Sequence, residues 1–549
     1  MKKINILYSA ITAAFMLSSC SDFLDTMPDN RAEIDTEAKI TSLLVSAYPT
    51  AYPIMMAEMA SDNAMDNGSL YSVESQSQED AYLWQDIVTD TDGDAPQGIW
   101  DACYMAIASA NHALQAIEQM GNPSTLSAQR GEALICRAYG HFVLATTFCE
   151  AYNYETAGNK LGIPYSITPE AEVAPHYVRG TLAETYSKIA ADIEEGLPLI
   201  NDNLYSVPKY HFNRKAAHAF AARFYLYYLQ ADKSNYEKVI EYASVVLGTV
   251  PSKVLRTYDA DFGTLSNPTN VGDAFIAAKS PANLLITPIN SSWPYIYGPY
   301  SMSQRYGQAK EICDNENGAA KMKADIRYGQ AKEICDNENL RADGIWGTAA
   351  NLVAANTIWN PQEKMPFPKL AMYFEYTDKV NGIGYRHAVI VPFTTNETLL
   401  CRAEAYIMKA QPEYGKAVSD INDWLTSVCY VGKAPVVTED DINTFYKNIE
   451  YTPIPIESAA QRTVKKELNP IIQFVDEKQE NLIHCILHLR RVETIHEGLR
   501  WYDIKRYGIE ISHNREGLSP DILTKNDLRR AFQLPQDVIN AGLDANPRN

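Results

Sequence analysis

Trp100, Tyr104, Ile107, Ala110, Leu114 and Ile117 recur at intervals of 4, 3, 3, 4 and 3 residues, the spacing of one buried helix face, and the run stops at Gly121-Asn122-Pro123. A chain with such faces must bury them by packing helix on helix. Ser127 to Ala151 and Leu182 to Ile200 are predicted as further helices. Asn213 to Gln230 and Tyr236 to Leu247 give a helix, a short polar turn and another helix. The arrangement returns at residues 396–427, where Asn396 to Lys409 precedes Tyr414 to Ser427. In that pair small Ala405 is followed twelve residues later by Ala417 and then by Ile421, close to the spacing of a degenerate tetratricopeptide repeat. Any one pair also reads as an ordinary helical hairpin. Several in one chain favour a mostly α scaffold of tetratricopeptide-like helical hairpins, with a loop-rich, irregular C-terminal part packed against them.

At the amino terminus, Lys2 and Lys3 precede an apolar stretch from Ile4 to Ser19, as long as a signal-peptide core and too short to span a bilayer of roughly 30 Å. It ends in Leu17-Ser18-Ser19-Cys20. Cleavage before a cysteine is the bacterial lipoprotein pattern, so residues 1–19 are predicted as a leader and Cys20 as the lipidated first residue of the mature chain. An ordinary leader with a coincidental cysteine is the alternative. One acyl chain binds a membrane marginally, whereas two or three on Cys20 anchor a protein without any spanning helix. Residues 20–40 read as a tether, since Cys20 to Arg31 shows no helical or strand period. The body then divides into an N-terminal helical region, 41–250, and a C-terminal region, 251–549.

Loss of the leader takes the formal charge from −20 to −22. So acidic a surface repels phosphate, which excludes nucleic acid as a natural partner. Eight cysteines besides Cys20 are sparse and irregular, which argues against a disulfide framework; Cys103, Cys136 and Cys149 fall in helical patterns and should pack as small apolar residues. Thirty-five Tyr against fifteen Phe favours the aromatic that keeps a hydroxyl, suited to surfaces half apolar and half wet.

Between about 250 and 395 the periodicity breaks into short aromatic, Gly, Pro and Asn segments, where loops and short strands are expected. Such segments carry binding residues when a rigid scaffold holds them. Residues 305–317 and 327–339 are identical over thirteen positions. Identity so complete is the mark of a recent slippage duplication or a sequence error, and one copy is expected to be packed while the other, with its 318–326 spacer, forms an irregular insertion.

Cys20-Ser-Asp-Phe-Leu-Asp25, the Ser61-Asp62-Asn63 loop, Arg490-Arg491-Val492-Glu493 and above all Glu497-Gly498-Leu499-Arg500-Trp501-Tyr502-Asp503-Ile504-Lys505-Arg506 resemble the SusD/RagB family over nearly the whole mature chain. Leu489 stands where that family usually has Glu. The resemblance implies a lipid-anchored protein on the extracellular face of the Bacteroidetes outer membrane. It also implies a SusC-like, TonB-dependent transporter as partner, and capture of glycans or, in some members, peptides. The charged and aromatic C-terminal run reads physically as a network that holds the terminus on its scaffold.

A sugar presents flat C–H faces and a rim of hydroxyls, so its site needs exposed aromatic rings beside Asn, Asp, Gln or Arg. Two segments offer this. Trp293, Tyr295, Tyr297 and Tyr300 lie among Pro and Gly, followed by Arg305; Asp62, Asn63, Asp66 and Asn67 form a polar turn, followed by Tyr71 and Trp84. The first segment reads equally as a loop folded into the core, and the second as a turn that bonds its own backbone.

Catalytic signals are weak. His484 and His488 lack a metal-binding context, and Asp90-Thr-Asp-Gly-Asp94 fails the EF-hand register, leaving an irregular calcium site as the minor alternative to a solvated loop. No nucleophile elbow or phosphate loop occurs. A non-enzymatic glycan-binding lipoprotein without cofactor is the reading. A peptide-capturing member of the same family, or less plausibly a secreted glycosidase, is the alternative.

Overall fold

The computed structural model describes residues 34–548 apart from 67–74, 89, 171–175, 266, 295–326, 330–331 and 360–364. The leader, Cys20 and candidate residues Asn67, Tyr71, Tyr295, Tyr297, Tyr300 and Arg305 lie outside the described residues.

The chain opens with α1 (Glu37–Leu44), α2 (Ile54–Ala60), strand β1 (Met65–Asp66) and α3 (Gln76–Tyr82). The long pair α4 (Pro96–Gln119) and α5 (Ser127–Phe148) follows, then α6 (Leu182–Gly196), and the pair α7 (Arg214–Tyr227) and α8 (Ser234–Leu247). After α9 (Tyr258–Phe262) and α10 (Pro268–Phe275) come β2 (Asn283–Ile289), β3 (Tyr328–Gly329), α11 (Lys332–Asn337), α12 (Val353–Asn356), β4 (Ile358–Trp359) and β5 (Met365–Pro366). A hairpin, β6 (Ala371–Asp378) and β7 (Ile383–Thr394), leads into α13 (Thr395–Met408), α14 (Tyr414–Val428) and α15 (Glu439–Lys447). The last third adds α16 (Glu477–Glu493), α17 (Leu499–Arg506), the small hairpin β8 (Ile511–His513) and β9 (Asp521–Leu523), and α18 (Gln536–Asn540).

Local chemistry fixes these boundaries. Thr181 and Glu184 close a capping box on α6, and Asn213 caps α7 while its amide donates to the Leu284 carbonyl at 2.8 Å. Successive hairpins stack, α4 on α5, α5 on α6, and α7 on α8. Helix α8 then packs on α13, which packs on α14 and α16, so the returning pair joins the N-terminal stack. Cys103, Cys136 and Cys149 are buried and unpaired, as small apolar residues would be.

Residues 250–395 are more regular than expected from their composition. Strands β2, β7 and β6 form one antiparallel sheet, and β7 runs for twelve residues. Residues 379–382 make its four-residue turn, ending in Asn381-Gly382 with Gly382 at φ +67°, a hairpin signal present in the sequence. The C-terminal part likewise contains the long helix α16, buried along most of its length despite its His and Arg content.

Candidate functional site

Helices α16 and α17 explain much of what the sequence offered as polar candidates. Asp62 accepts from Arg500 Nε and Nη2 at 2.8 and 2.9 Å, while Arg491 donates to the Asp62 carbonyl at 2.8 Å and to Asn63 Oδ1 at 2.7 Å. Burial opposes ionisation of Asp62, but the Arg491 and Arg500 guanidiniums outweigh it and hold the carboxyl well below its usual range. Asn63 also donates to Glu58 at 3.0 Å, and Glu58 accepts from the backbone N–H groups of His496 and Gly498. Burial pushes Glu58 up to about 7 against those hydrogen bonds. Arg490 bonds Asp503 at 3.0 Å, and Arg506 reaches both Asp503 and Glu404. This is the charge network that holds the terminus on the scaffold. Leu489, in place of the usual Glu, is fully buried.

Most of the described ligand candidates are therefore scaffold residues. Asp62 and Asn63 are buried with their side chains engaged, contrary to the expectation of hydroxyl contacts. Asp66 pairs with Arg327 at 2.9 Å, so the second copy of the duplicated segment is packed in the fold; its Glu338 meets Arg462, Lys466 and Arg491. The first copy, 305–317, lies outside the described residues. Trp293 is 1 % exposed and donates from its indole to the His496 carbonyl, so it offers no open ring face. Trp84 stacks on His513 with ring centroids 4.2 Å apart and donates to Ala60, again inside the core. Both indoles are buried because chain far away in sequence covers them, which local composition does not report. His484 and His488 are buried too, and burial followed by the Arg491 and Arg500 charges pushes His488 down to about 3.

An open cleft of about 400 Å³ lies beside the start of the Trp293 segment. One wall is Thr91–Asp94, the second is Asn290 and Ser292 after β2, and the third is Phe374 with Gly384–Arg386 on the β6–β7 hairpin. Gly93 makes the first two walls fit, since a Cβ there would lie 1.8 Å from the Asn290 carbonyl oxygen. Asp94 is buried and clamps the junction by accepting from Ser291 Oγ at 2.6 Å and the Ser292 N–H at 2.7 Å; burial raises it to about 6 against those bonds. The acidic loop thus serves partly as a brace, and no group of three or more metal-ligating side chains occurs among the described residues.

On the hairpin, Phe374 and Arg386 pair across the strands and share a face with Tyr376 and Gly384. The missing side chain of Gly384 leaves room for the Phe374 ring, whose Cε1 would be 2.7 Å from a Cβ there. Phe374 is 43 % and Tyr385 45 % exposed, and the Phe374 and Tyr376 rings lie edge to face, 4.9 Å between centroids. The Phe374 ring beside Asp92, Asn290 and Arg386 matches a sugar's C–H face and hydroxyl rim, whereas Tyr385 lies on the opposite face of the hairpin and donates to Glu375 at 2.9 Å. Sequence reasoning missed this hairpin, although Tyr373-Phe374-Glu375-Tyr376, the Asn381-Gly382 turn and Tyr385-Arg386-His387 carry its signal.

The fold is a mostly helical scaffold carrying small sheets, with this cleft open at its surface. Residues 22–226 match the sequence profile of a SusD-like family described as starch-binding, associating with outer membrane. No curated protein matches the sequence. Solved structures share the fold at low identity. A protein from Bacteroides vulgatus described as a "putative sugar binding protein" is 18% identical with a TM-score of 0.59, covering 94% of this chain and 99% of its own. A SusD superfamily protein from Bacteroides thetaiotaomicron is 18% identical with a TM-score of 0.56, covering 93% and 98%. One from Parabacteroides distasonis is 15% identical with a TM-score of 0.57, covering 93% and 99%. Residues 22–226 thus carry a SusD-like sequence pattern, and nearly the whole chain shares the fold of SusD superfamily structures.

Proposed function

We propose that this protein captures oligosaccharides at the extracellular face of the outer membrane, held there by acyl chains on Cys20, and hands them without catalysis to a SusC-like TonB-dependent transporter. The observation that carries the reading is the cleft in which the exposed Phe374 ring adjoins Asp92, Asn290 and Arg386. The matched family's description as starch-binding and that of a structural relative as sugar binding support the ligand class; the association with outer membrane in the family's description supports the location. Among the described residues no helix is long and apolar enough to cross a membrane, in keeping with an anchor supplied by lipid.

The cleft binds rather than reacts in this account. Aromatic faces take the apolar side of a pyranose, and the carboxylate, amide and guanidinium select its hydroxyl pattern. Tyr295, Tyr297, Tyr300 and Arg305 follow Ser292 closely in the chain and are proposed to extend the same site. Screening the mature chain against glycan and peptide mixtures, with Phe374→Ala beside it, tests the reading. Oligosaccharide binding weakened several-fold by the substitution supports it, and selective retention of peptides contradicts it.

A further inference from the structure

A second groove, of about 830 Å³, shares no lining residue with the cleft on the hairpin. Its long wall is the outer face of α4, from Trp100 through Tyr104 and Met105 to His112; the opposite walls are the 164–170 loop with Tyr177, and the C-terminal segment carrying Asp537, Val538 and Leu543. Twelve residues of helix span about 18 Å, room for roughly five residues of extended peptide at 3.3 Å each.

The floor is apolar. Met105 is 70 % exposed, a flexible thioether on an open helix face, and Ile167 and Val178, next in sequence to lining residues, are largely exposed as well. The charge is one-sided. Asp101, Glu170 and Asp537 line the groove, and no lysine or arginine does. The bonds recorded for two of these carboxylates come from neutral donors, Gln97 to Asp101 at 2.9 Å and the Tyr177 hydroxyl to Glu170, so their negative charge is not neutralised by them.

An apolar trough bordered by acceptor-only carboxylates complements apolar side chains interspersed with cations. We propose that this groove docks a basic, apolar peptide segment of a partner protein. A neutral glycan would gain nothing from the uniform charge, and a second copy of so acidic a chain would be repelled by it.

The test uses the mature chain and an array of eight-residue peptides in which charge sign and apolar content vary independently, followed by fluorescence anisotropy on the best-retained sequence. Basic, apolar peptides should be retained over acidic ones of equal apolar content. The combined Asp101→Asn, Glu170→Gln, Asp537→Asn variant, which changes only exposed side chains, should weaken the best peptide about tenfold and erase its salt dependence. Met105→Ala should weaken it a few-fold while preserving the preference for charge sign. Absence of a charge preference, an affinity unchanged by neutralisation, displacement by an oligosaccharide, or a concentration-dependent dimer broken by Met105→Glu would each overturn the proposal.

Discussion

Asp62 sits between Arg491 and Arg500 with all three side chains buried, so each guanidinium depends on a charge it cannot replace from solvent. Asp62→Ala leaves Arg500 without its two-point partner and Arg491 with Glu338 alone, and should cost about 3–5 kcal/mol in chemical denaturation; an unchanged midpoint and slope would show that the network is dispensable. Glu58 gives a pH signature of opposite sense to an exposed carboxylate. Its ordinary value is 4.5, and burial raises it to about 7 in the fold, so the folded chain holds the proton more tightly. Stability contributed through Glu58 is complete below about 4.5, falls as the pH rises, and is lost above about 7, by roughly 3 kcal/mol in all. Glu58→Gln should flatten that part of the stability profile between pH 5 and 8. A slope retained in the variant would place the titration elsewhere. Trp293→Ala should cost about 3–5 kcal/mol, the price of emptying a core site, because its ring is closed off from solvent.

At the scale of elements, the duplicated segment makes a sharp prediction. Arg327 and Glu338 of the second copy supply the ion pairs to Asp66, Arg462, Lys466 and Arg491. Deleting residues 305–326 removes one whole unit and leaves those contacts in place. The stretch between Pro294 and Arg327 shortens from 32 residues to ten, which by loop closure alone favours the fold by roughly 1 kcal/mol. Thermal unfolding of the deletion variant should match or slightly exceed the parent, and a marked loss would show that the first copy carries structure of its own. The long helices were legible because length and a 3.6-residue period survive any environment: α4 presents one apolar face, and α7, α8, α13 and α14 begin within two residues of where the sequence places them. Helix α16 was read as a motif rather than a helix because His484, His488, Arg490 and Arg491 interrupt its apolar pattern, and only the fold pairs or shelters them. The hairpin was missed for a different reason: its aromatic strands are half exposed, so they alternate less clearly than core strands, and the Asn381-Gly382 turn was the signal to follow.

For the whole molecule, the SusD-like resemblance and the mostly helical architecture were readable from the C-terminal run and the repeated hairpins, whereas the proposed cleft was not. A site is made where distant segments meet; the cleft joins residues 91–94, 290–292 and 374–386, and no local pattern announces that they touch. The anchor is testable at this scale: Cys20→Ala should release the protein from membranes or leave it unprocessed, and a variant that still partitions with the outer membrane as tightly as the parent would contradict lipidation. A stable subunit contact buries more than about 1,200 Å², so a tagged chain should carry a SusC-like barrel through detergent extraction. The most direct measurement is calorimetric titration of an oligosaccharide found in the glycan screen into the mature chain and into Phe374→Ala, with unfolding followed in parallel. The account predicts affinity reduced about fivefold with unfolding little changed, since the ring is nearly half exposed and a stacked ring contributes on the order of 1 kcal/mol. Equal affinity for parent and variant would place the ligand away from the hairpin and contradict the assignment of the cleft.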